Sequence, residues 1–552
     1  MWRRMERFAG PVMVAVLMAV VMAMMAPSAS AFNLDAEKAL VKEGPQGSLF
    51  GLSVAMHQKV EDKGFLAGAP RSKADAKQTS HNTGALFSCP FTADPSDCER
   101  VNFDNSESLE RESKEDEWMG VSVASQRAGG LVITCAHRYE NRVYVGQPEQ
   151  EQRHLVGRCF ILTDLLVPVD DFFESTFCKN RDIRPDGFGM CQQGTAAGFV
   201  PDSDYIYYGA PGTYNWKGIV RVEQWNKTLA KDAIYLDPQE TGDEKKMNQE
   251  LIPLPFHSYM GYSLDGSRGV TNRVSVSFLA GAPRANHTGA ALLLKPSGQA
   301  VLIPELLITG HQLGSSFGYD VALADINGDH WMEVLVSAPN YFSRRDEAGG
   351  AVYVYRNRQG NVVLDKPTVL TGPPYSAFGT AVARAGDLNQ DGFQDIAIGA
   401  PFAGSGKVYI YHGGKGGIAT EPAQVISGEE LKPPITQFGF SLSGDMDVDD
   451  NTYPDLLVGS MSDKIALLRQ WYIIVVATSI WLLVFSSPMV VDLWCGFFKR
   501  PSPYAHVPKY QAVRIRKEER QRGVSRPDKP ALRRGPRARH WVTTWTDRYA
   551  SC

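Results

Sequence analysis

An all-β fold of seven repeated units is what this 552-residue sequence predicts, and three observations carry the prediction. An aromatic-containing F-G step recurs along the chain, with a Gly-Ala-Pro step about 20 residues after it. Inside each unit the residues read as short strands parted by glycine turns, as in Val408-Tyr409-Ile410-Tyr411-His412 before Gly413-Gly414. Composition agrees, since 51 Gly and 33 Pro suit a turn-rich β chain better than a helical one.

In chain order, Arg3, Arg4 and Arg7 precede an apolar run from Val12 to Met25, and Ala29-Ser30-Ala31 offers a small-residue cleavage site. Residues 1–31 are therefore expected to be a signal peptide. The repeats occupy 32–470. Phe50-Gly51 goes with Gly68-Ala69-Pro70, and Tyr259-Met260-Gly261 with Gly281-Ala282-Pro283. Phe317-Gly318 goes with Ser337-Ala338-Pro339, Phe378-Gly379 with Gly399-Ala400-Pro401, and Phe438-Gly439 with Gly459-Ser460. Weaker copies are Trp118-Met119-Gly120 with Cys135-Ala136-His137 and Gln193-Gly194 with Gly209-Ala210-Pro211. Several strands per unit of about 60 residues, repeated radially, are the blades of a propeller. Sandwich domains would need about 100 residues each. The expected fold is a seven-bladed β-propeller.

A second apolar run, Trp471 to Cys495, is long enough to cross a bilayer as one helix. The basic excess that follows, with only Glu518, Glu519, Asp528 and Asp547 against it, places 496–552 in the cytoplasm. The expectation is a single-pass protein of the plasma membrane with its N-terminus outside. Since the whole chain carries −4 and the tail is basic, the exported part is acidic. That balance argues against nucleic acid and for a collector of divalent cations.

Cys89, Cys98, Cys135, Cys159, Cys178 and Cys191 lie in the exported part and read as three disulfides. Neighbour pairing (89–98, 135–159, 178–191) is preferred among the fifteen pairings that six cysteines allow. Asn226-Lys227-Thr228 and Asn286-His287-Thr288 are glycosylation acceptors.

The chemistry-bearing motif is a nine-residue acidic loop found in the last three units. The first copy holds Asp325, Asn327, Asp329, Trp331 and Glu333. The second, the cleanest, holds Asp387, Asn389, Asp391, Gly392, Phe393 and Asp395. The third holds Asp447, Asp449, Asn451, Tyr453 and Asp455. Side-chain oxygens at positions 1, 3, 5 and 9, with the carbonyl of position 7, can surround Ca2+. An EF-hand would need Glu at position 12, where Val336, Ile398 and Val458 stand, so these are hairpin loops with a structural ion each. His330 and Glu333 replace the expected Gly and Asp, which makes the first copy the weakest expected site.

These repeats and loops resemble the propellers of integrin alpha chains. Phe32-Asn33-Leu34-Asp35 matches their mature start, and Gly496, Phe497, Phe498, Lys499 and Arg500 match their membrane-proximal cytoplasmic signature. Within the family the resemblance is to the laminin-binding subgroup, alpha-three, alpha-six and alpha-seven. It rests on Gly47 to Gly51, Cys135 to Tyr139, Gly209 to Gly218 and Gly281 to His287, with Val513 to Arg520 and His540 to Thr543 in the tail.

The resemblance implies a heterodimer with an integrin beta chain, beta-one being expected, and a laminin or other matrix ligand held across the junction. Residues just after the F-G steps, Leu52, Tyr262, Tyr319, Thr380 and Phe440, are candidate partner contacts, an aromatic ring there being able to hold a basic side chain. Tyr214 and Trp216, in a loop of the third unit, are candidates on the ligand side. Arg500 is a candidate for pairing with an acidic residue of the beta tail. One departure is large: the leg domains that family members carry between propeller and membrane have no counterpart between Arg469 and Trp471. The alternatives to a working receptor head are a membrane-held calcium-binding decoy or an incomplete splice product. An enzyme of the propeller-bearing phospholipase type finds no support, as H-E-x-x-H and G-x-S-x-G are both missing.

Overall fold

The computed structural model describes residues 34–470, except 60–62, 127–128, 170–173, 225–235, 243–250 and 298–299. The expected signal peptide, membrane span and tail, including Gly496 to Arg500, lie outside the described residues, as does Asn226. No helix among the described residues is long and apolar enough to cross a membrane.

Seven four-stranded antiparallel sheets follow one another along the described chain. Blade one comprises Ser53–Gln58, Lys63–Ala69, Ala85–Pro90 and Glu99–Arg100. The first strands of the blades after it are Ser122–Ser125, Ala197–Phe199, Ser263–Arg268, Val321–Ala324, Ala381–Gly386 and Ser441–Met446. Each packs beside the first strand of the next blade, and that of blade seven packs beside that of blade one. The sheets thus close into a ring, the arrangement of a β-propeller, around a central cavity of about 1060 Å³. Blade seven takes its fourth strand from the other end of the described chain, where Leu34–Glu43 pairs antiparallel with Lys464–Gln470.

Burial explains the strand text. Second strands such as Val276–Ala282 and Asp395–Ala400 are buried throughout, because a blade covers each face, so they read as largely apolar runs. Fourth strands such as Gln424–Ser427 sit at the rim and are only part-buried.

The recurring Gly steps form one device repeated seven times. The Gly N–H donates to the carbonyl of the residue opening the Gly-Ala-Pro step of its own blade: Gly51 to Gly68, Gly120 to Cys135, Gly194 to Gly209, Gly261 to Gly281, Gly318 to Ser337, Gly379 to Gly399 and Gly439 to Gly459, at 2.8–3.1 Å. Its φ is positive, +88° at Gly439, where other residues are strained. Its carbonyl meets the preceding blade, and a Cβ on Gly399 would stand 1.9 Å from the Gly439 oxygen. The side chain before the Gly is buried in every copy: Phe50, Met119, Gln193, Met260, Phe317, Phe378 and Phe438. Six of these residues also bridge in parallel to a Gly at the start of the third strand of the preceding blade, as Phe438 does to Gly406. The step is a clip between blades. It needs a buried side chain and a Gly, so Met119, Gln193 and Met260 serve where Phe stands elsewhere.

The structure joins Cys89 to Cys98, Cys135 to Cys159 and Cys178 to Cys191, the neighbour pairing the spacing favours. Cys135 and Cys159 are cross-strand partners within blade two.

Candidate metal centre

The three acidic loops all join first to second strands, in blades five, six and seven, and therefore share one face of the ring. Each is shaped by its own side chains. The first Asp accepts two backbone N–H groups: Asp325 from Asp329 (3.1 Å) and His330 (2.8 Å), Asp387 from Asp391 (3.0 Å) and Gly392 (2.8 Å), Asp447 from Asn451 (3.1 Å) and Thr452 (2.7 Å). The last acid opens the second strand and accepts from the second residue of the loop: Glu333 from Ile326 (3.1 Å), Asp395 from Leu388 (2.9 Å), Asp455 from Val448 (2.7 Å). Asn327 and Asn389 each accept at 3.0 Å from the fifth position, and Asn451 accepts from Tyr453 at 2.7 Å. Position six carries a positive φ in every loop, +64° at His330, +91° at Gly392 and +75° at Thr452, so Gly is the unstrained choice and only the second loop has it.

The loops differ in how their last acids are satisfied. In blade five, Glu333 Oε1 accepts from the Asn327 amide (3.0 Å) and from Asn357 N–H (3.3 Å). In blade six, Asp395 Oδ1 accepts from Gly413 N–H (2.9 Å) and lies 3.2 Å from His412 Nδ1. In blade seven, carboxylate oxygens of Asp447, Asp449 and Asp455 all lie within 4.8 Å of one another, and no other such group of acids, His or Cys meets among the described residues. Oδ1 of Asp449 and Oδ1 of Asp455 are buried and find no hydrogen-bond donor. Burial first, then the neighbouring acids, pushes the Asp455 carboxyl up to about 7 and raises that of Asp449. Orphaned buried oxygens among converging acids are costly alone and suited to a hard cation. The residues of this loop fit Ca2+.

Gln390 and Gln394, which the motif does not mark, tie the loops together. Gln390 donates to the Thr452 carbonyl (2.9 Å), and Gln394 Oε1 accepts from Asp325 N–H (2.9 Å). Their positions inside the second loop were the only sequence signal, and Gln in a turn carries none of its own.

On the opposite face, Leu52, Tyr262, Tyr319, Thr380 and Phe440 precede the first strands at the rim, and none lines the central cavity. The Tyr262 and Tyr319 rings lie 5.2 Å apart. Tyr214 is a core residue, 7% exposed and 5.2 Å from the Phe188 ring, so the exposed aromatic pair expected there reduces to half-buried Trp216, stacked on His257. The turn bends back at Tyr214 (φ +49°) and drives its ring inward, which no spacing reveals. Asn286 is exposed on this same face, in the turn Ala285–His287. Exposed apolar side chains gather there too: Phe256, Leu313, Phe342, Tyr375 and Phe402, with Tyr375 85% exposed.

Comparison with known proteins gives the FG-GAP repeat family over residues 317–355 and 378–411. The chain is 49% identical over 459 residues to integrin alpha-6 of Gallus gallus, covering 82% of this chain and 42% of that protein. It is 47% identical over 474 residues to integrin alpha-7 of Rattus norvegicus (85% and 41%), and 44% over 455 residues to integrin alpha-3 of Cricetulus griseus (80% and 41%). The chain thus spans less than half the length of these relatives. Its similarity is to the alpha-three, alpha-six and alpha-seven group, as its residues predict.

Proposed function

We propose that this chain is an integrin alpha subunit, an adhesion receptor and not an enzyme, whose propeller head is stabilised by calcium. It acts at the plasma membrane as a heterodimer with a beta chain, beta-one by its subgroup, and holds a matrix ligand, laminin, across the junction. The observation that carries the reading is three acidic loops in register on one face of a ring whose sequence runs with integrin alpha chains. In blade seven, Asp447, Asp449, Asn451 and Asp455 with the Tyr453 carbonyl would hold the ion, and blades five and six would use Asp325, Asn327, Asp329, Trp331 and Glu333, and Asp387, Asn389, Asp391, Phe393 and Asp395. A bound ion supplies positive charge where carboxylates converge. The residues themselves set the turn, each first Asp holding two N–H groups.

The other face is left for partners. Its exposed apolar side chains, Phe256, Leu313, Phe342, Tyr375 and Phe402, suit a protein interface better than water. The test is recovery of the surface-biotinylated full chain with endogenous beta-one chain, with and without calcium chelation. Calcium-dependent recovery of both chains is expected. Recovery of the folded chain alone would overturn receptor function and favour the decoy.

A further inference from the structure

Resting on the reading of the acidic loops as calcium sites, we infer that the loop of blade seven is an ion-dependent clasp on the seam that closes the ring, with Lys63 and Arg469 as positioning residues.

Every contact between neighbouring blades has chain running from one blade into the next, the closing strand Leu34–Glu43 of blade seven leading into Ser53–Gln58 of blade one. The ring shuts inside blade seven, where that strand pairs with Lys464–Gln470. The third acidic loop lies at that seam. Lys63, the first residue of the second strand of blade one, donates Nζ to the Asp447 carbonyl at 2.8 Å and to the Asp450 carboxylate at 2.5 Å. Arg469 pairs with the Asp449 carboxylate at 3.6 Å, while its guanidinium lies 5.4 Å from the ring centre of Phe91 in the loop after the third strand of blade one. Arg469 is also the register partner of Asp35 in the closing strand. The Asn451 amide donates to the Gln470 carbonyl at 3.0 Å, fixing the loop to the end of the strand that pairs with the closing one.

The loop that carries these links is also the one whose acids are least satisfied by protein. Asp449 Oδ1 and Asp455 Oδ1 are buried without donors, whereas Glu333 and Asp395 find theirs in blades five and six. Without a cation, Asp447, Asp449 and Asp455 repel one another, and the loop that Lys63 and Arg469 grip loses its fixed shape. Calcium in blades five and six steadies hairpins within the ring. Calcium in blade seven holds the ring shut. A second link needs no ion: Lys42, buried in the closing strand, donates to Thr92 (3.0 Å), the Asp94 carbonyl (2.8 Å) and Asp97 (2.6 Å) inside the Cys89–Cys98 loop. The clasp therefore governs the Asp35 end of the strand, while the Lys42 end stays held.

The test is hydrogen exchange read by mass spectrometry on the full chain, with terbium luminescence on the same samples as the measure of ion binding. Chelation of the unaltered chain should speed exchange about tenfold in 34–40 and 447–470 and leave 41–43 slow. Asp455→Asn should do so with calcium present, and Asp395→Asn, its counterpart in blade six, should leave 34–40 protected. Lys63→Met replaces no proposed ligand side chain and should loosen 34–40 while terbium binding persists, so it decides the matter where Asp455→Asn fails to fold. Equal deprotection of 34–40 by Asp455→Asn and Asp395→Asn, or full protection in Lys63→Met, would overturn the clasp while leaving the calcium sites in place. Absence of terbium binding in the unaltered chain would overturn the calcium reading itself.

Discussion

Blades one to three contain all six paired cysteines and no acidic nine-residue loop, while blades five to seven contain three such loops and no cysteine. The early half is also laced by buried ion pairs. Arg158 reaches Glu117 at 2.8 Å and Asp104 at 2.5 Å, and stacks 4.3 Å from the Tyr139 ring centre. The late half instead gathers acids around its first-to-second-strand turns, Asp447, Asp449 and Asp455 meeting in blade seven. Two halves of one ring thus differ in their hairpins, with disulfides on one side and, on the reading proposed above, ion sites on the other.

The clip is what the halves share, so breaking it should hurt both alike and produce the largest loss. A Cβ on Gly68 would stand 1.9 Å from the Gly120 carbonyl oxygen, the same distance as on Gly399 from that of Gly439. Gly68→Ala and Gly399→Ala are each expected to cost about 4 kcal/mol in urea melts. A loss in one half only would show that the clip is not equivalent around the ring. Next in size, replacing Cys135 and Cys159 together by Ser should cost about 3 kcal/mol, and the loss should be unchanged by chelation. If chelation deepens that loss, the two halves are not separate devices.

The smallest effect concerns neither half's device and sharpens the comparison by contrast. Asp320 lies on the cavity wall, where its carboxylate accepts from Val382 N–H (2.7 Å) and burial pushes its pKa up to about 7. A carboxyl raised above its ordinary value of 3.8 stabilises the fold when protonated. Its contribution is fully present below pH about 4 and is lost as pH rises through about 7. Asp320→Asn should flatten that part of the profile of melting temperature against pH, at fixed calcium. An unaltered slope would place the titration elsewhere.

Much of this was legible in the sequence, for a physical reason. The F-G glycine of the clip is written into every copy, so Phe438-Gly439 announces blade seven from the text alone. The acidic loops are legible for the same cause, each first Asp being required to hold two N–H groups of its own turn. What escaped depends on neighbours distant in sequence. Lys63 meets the third loop only because the ring closes, and Arg469 because it ends the third strand of the same blade; no local pattern marks either. Tyr214 misled for the converse reason: an aromatic in a loop reads as exposed, but a positive φ turns it into the core. The two weak F-G copies were legible because the Gly persisted, with Met119 and Gln193 filling the buried place of the ring.

The claim that the halves are held by different means is tested most directly by limited proteolysis of the full chain, with fragments identified by mass. One arm uses a calcium chelator and the other a disulfide reductant, both under otherwise native conditions. The account predicts first cuts within 321–470 on chelation and within 53–224 on reduction. The same first cuts in both arms, or early cuts in blades one to three on chelation alone, would contradict it.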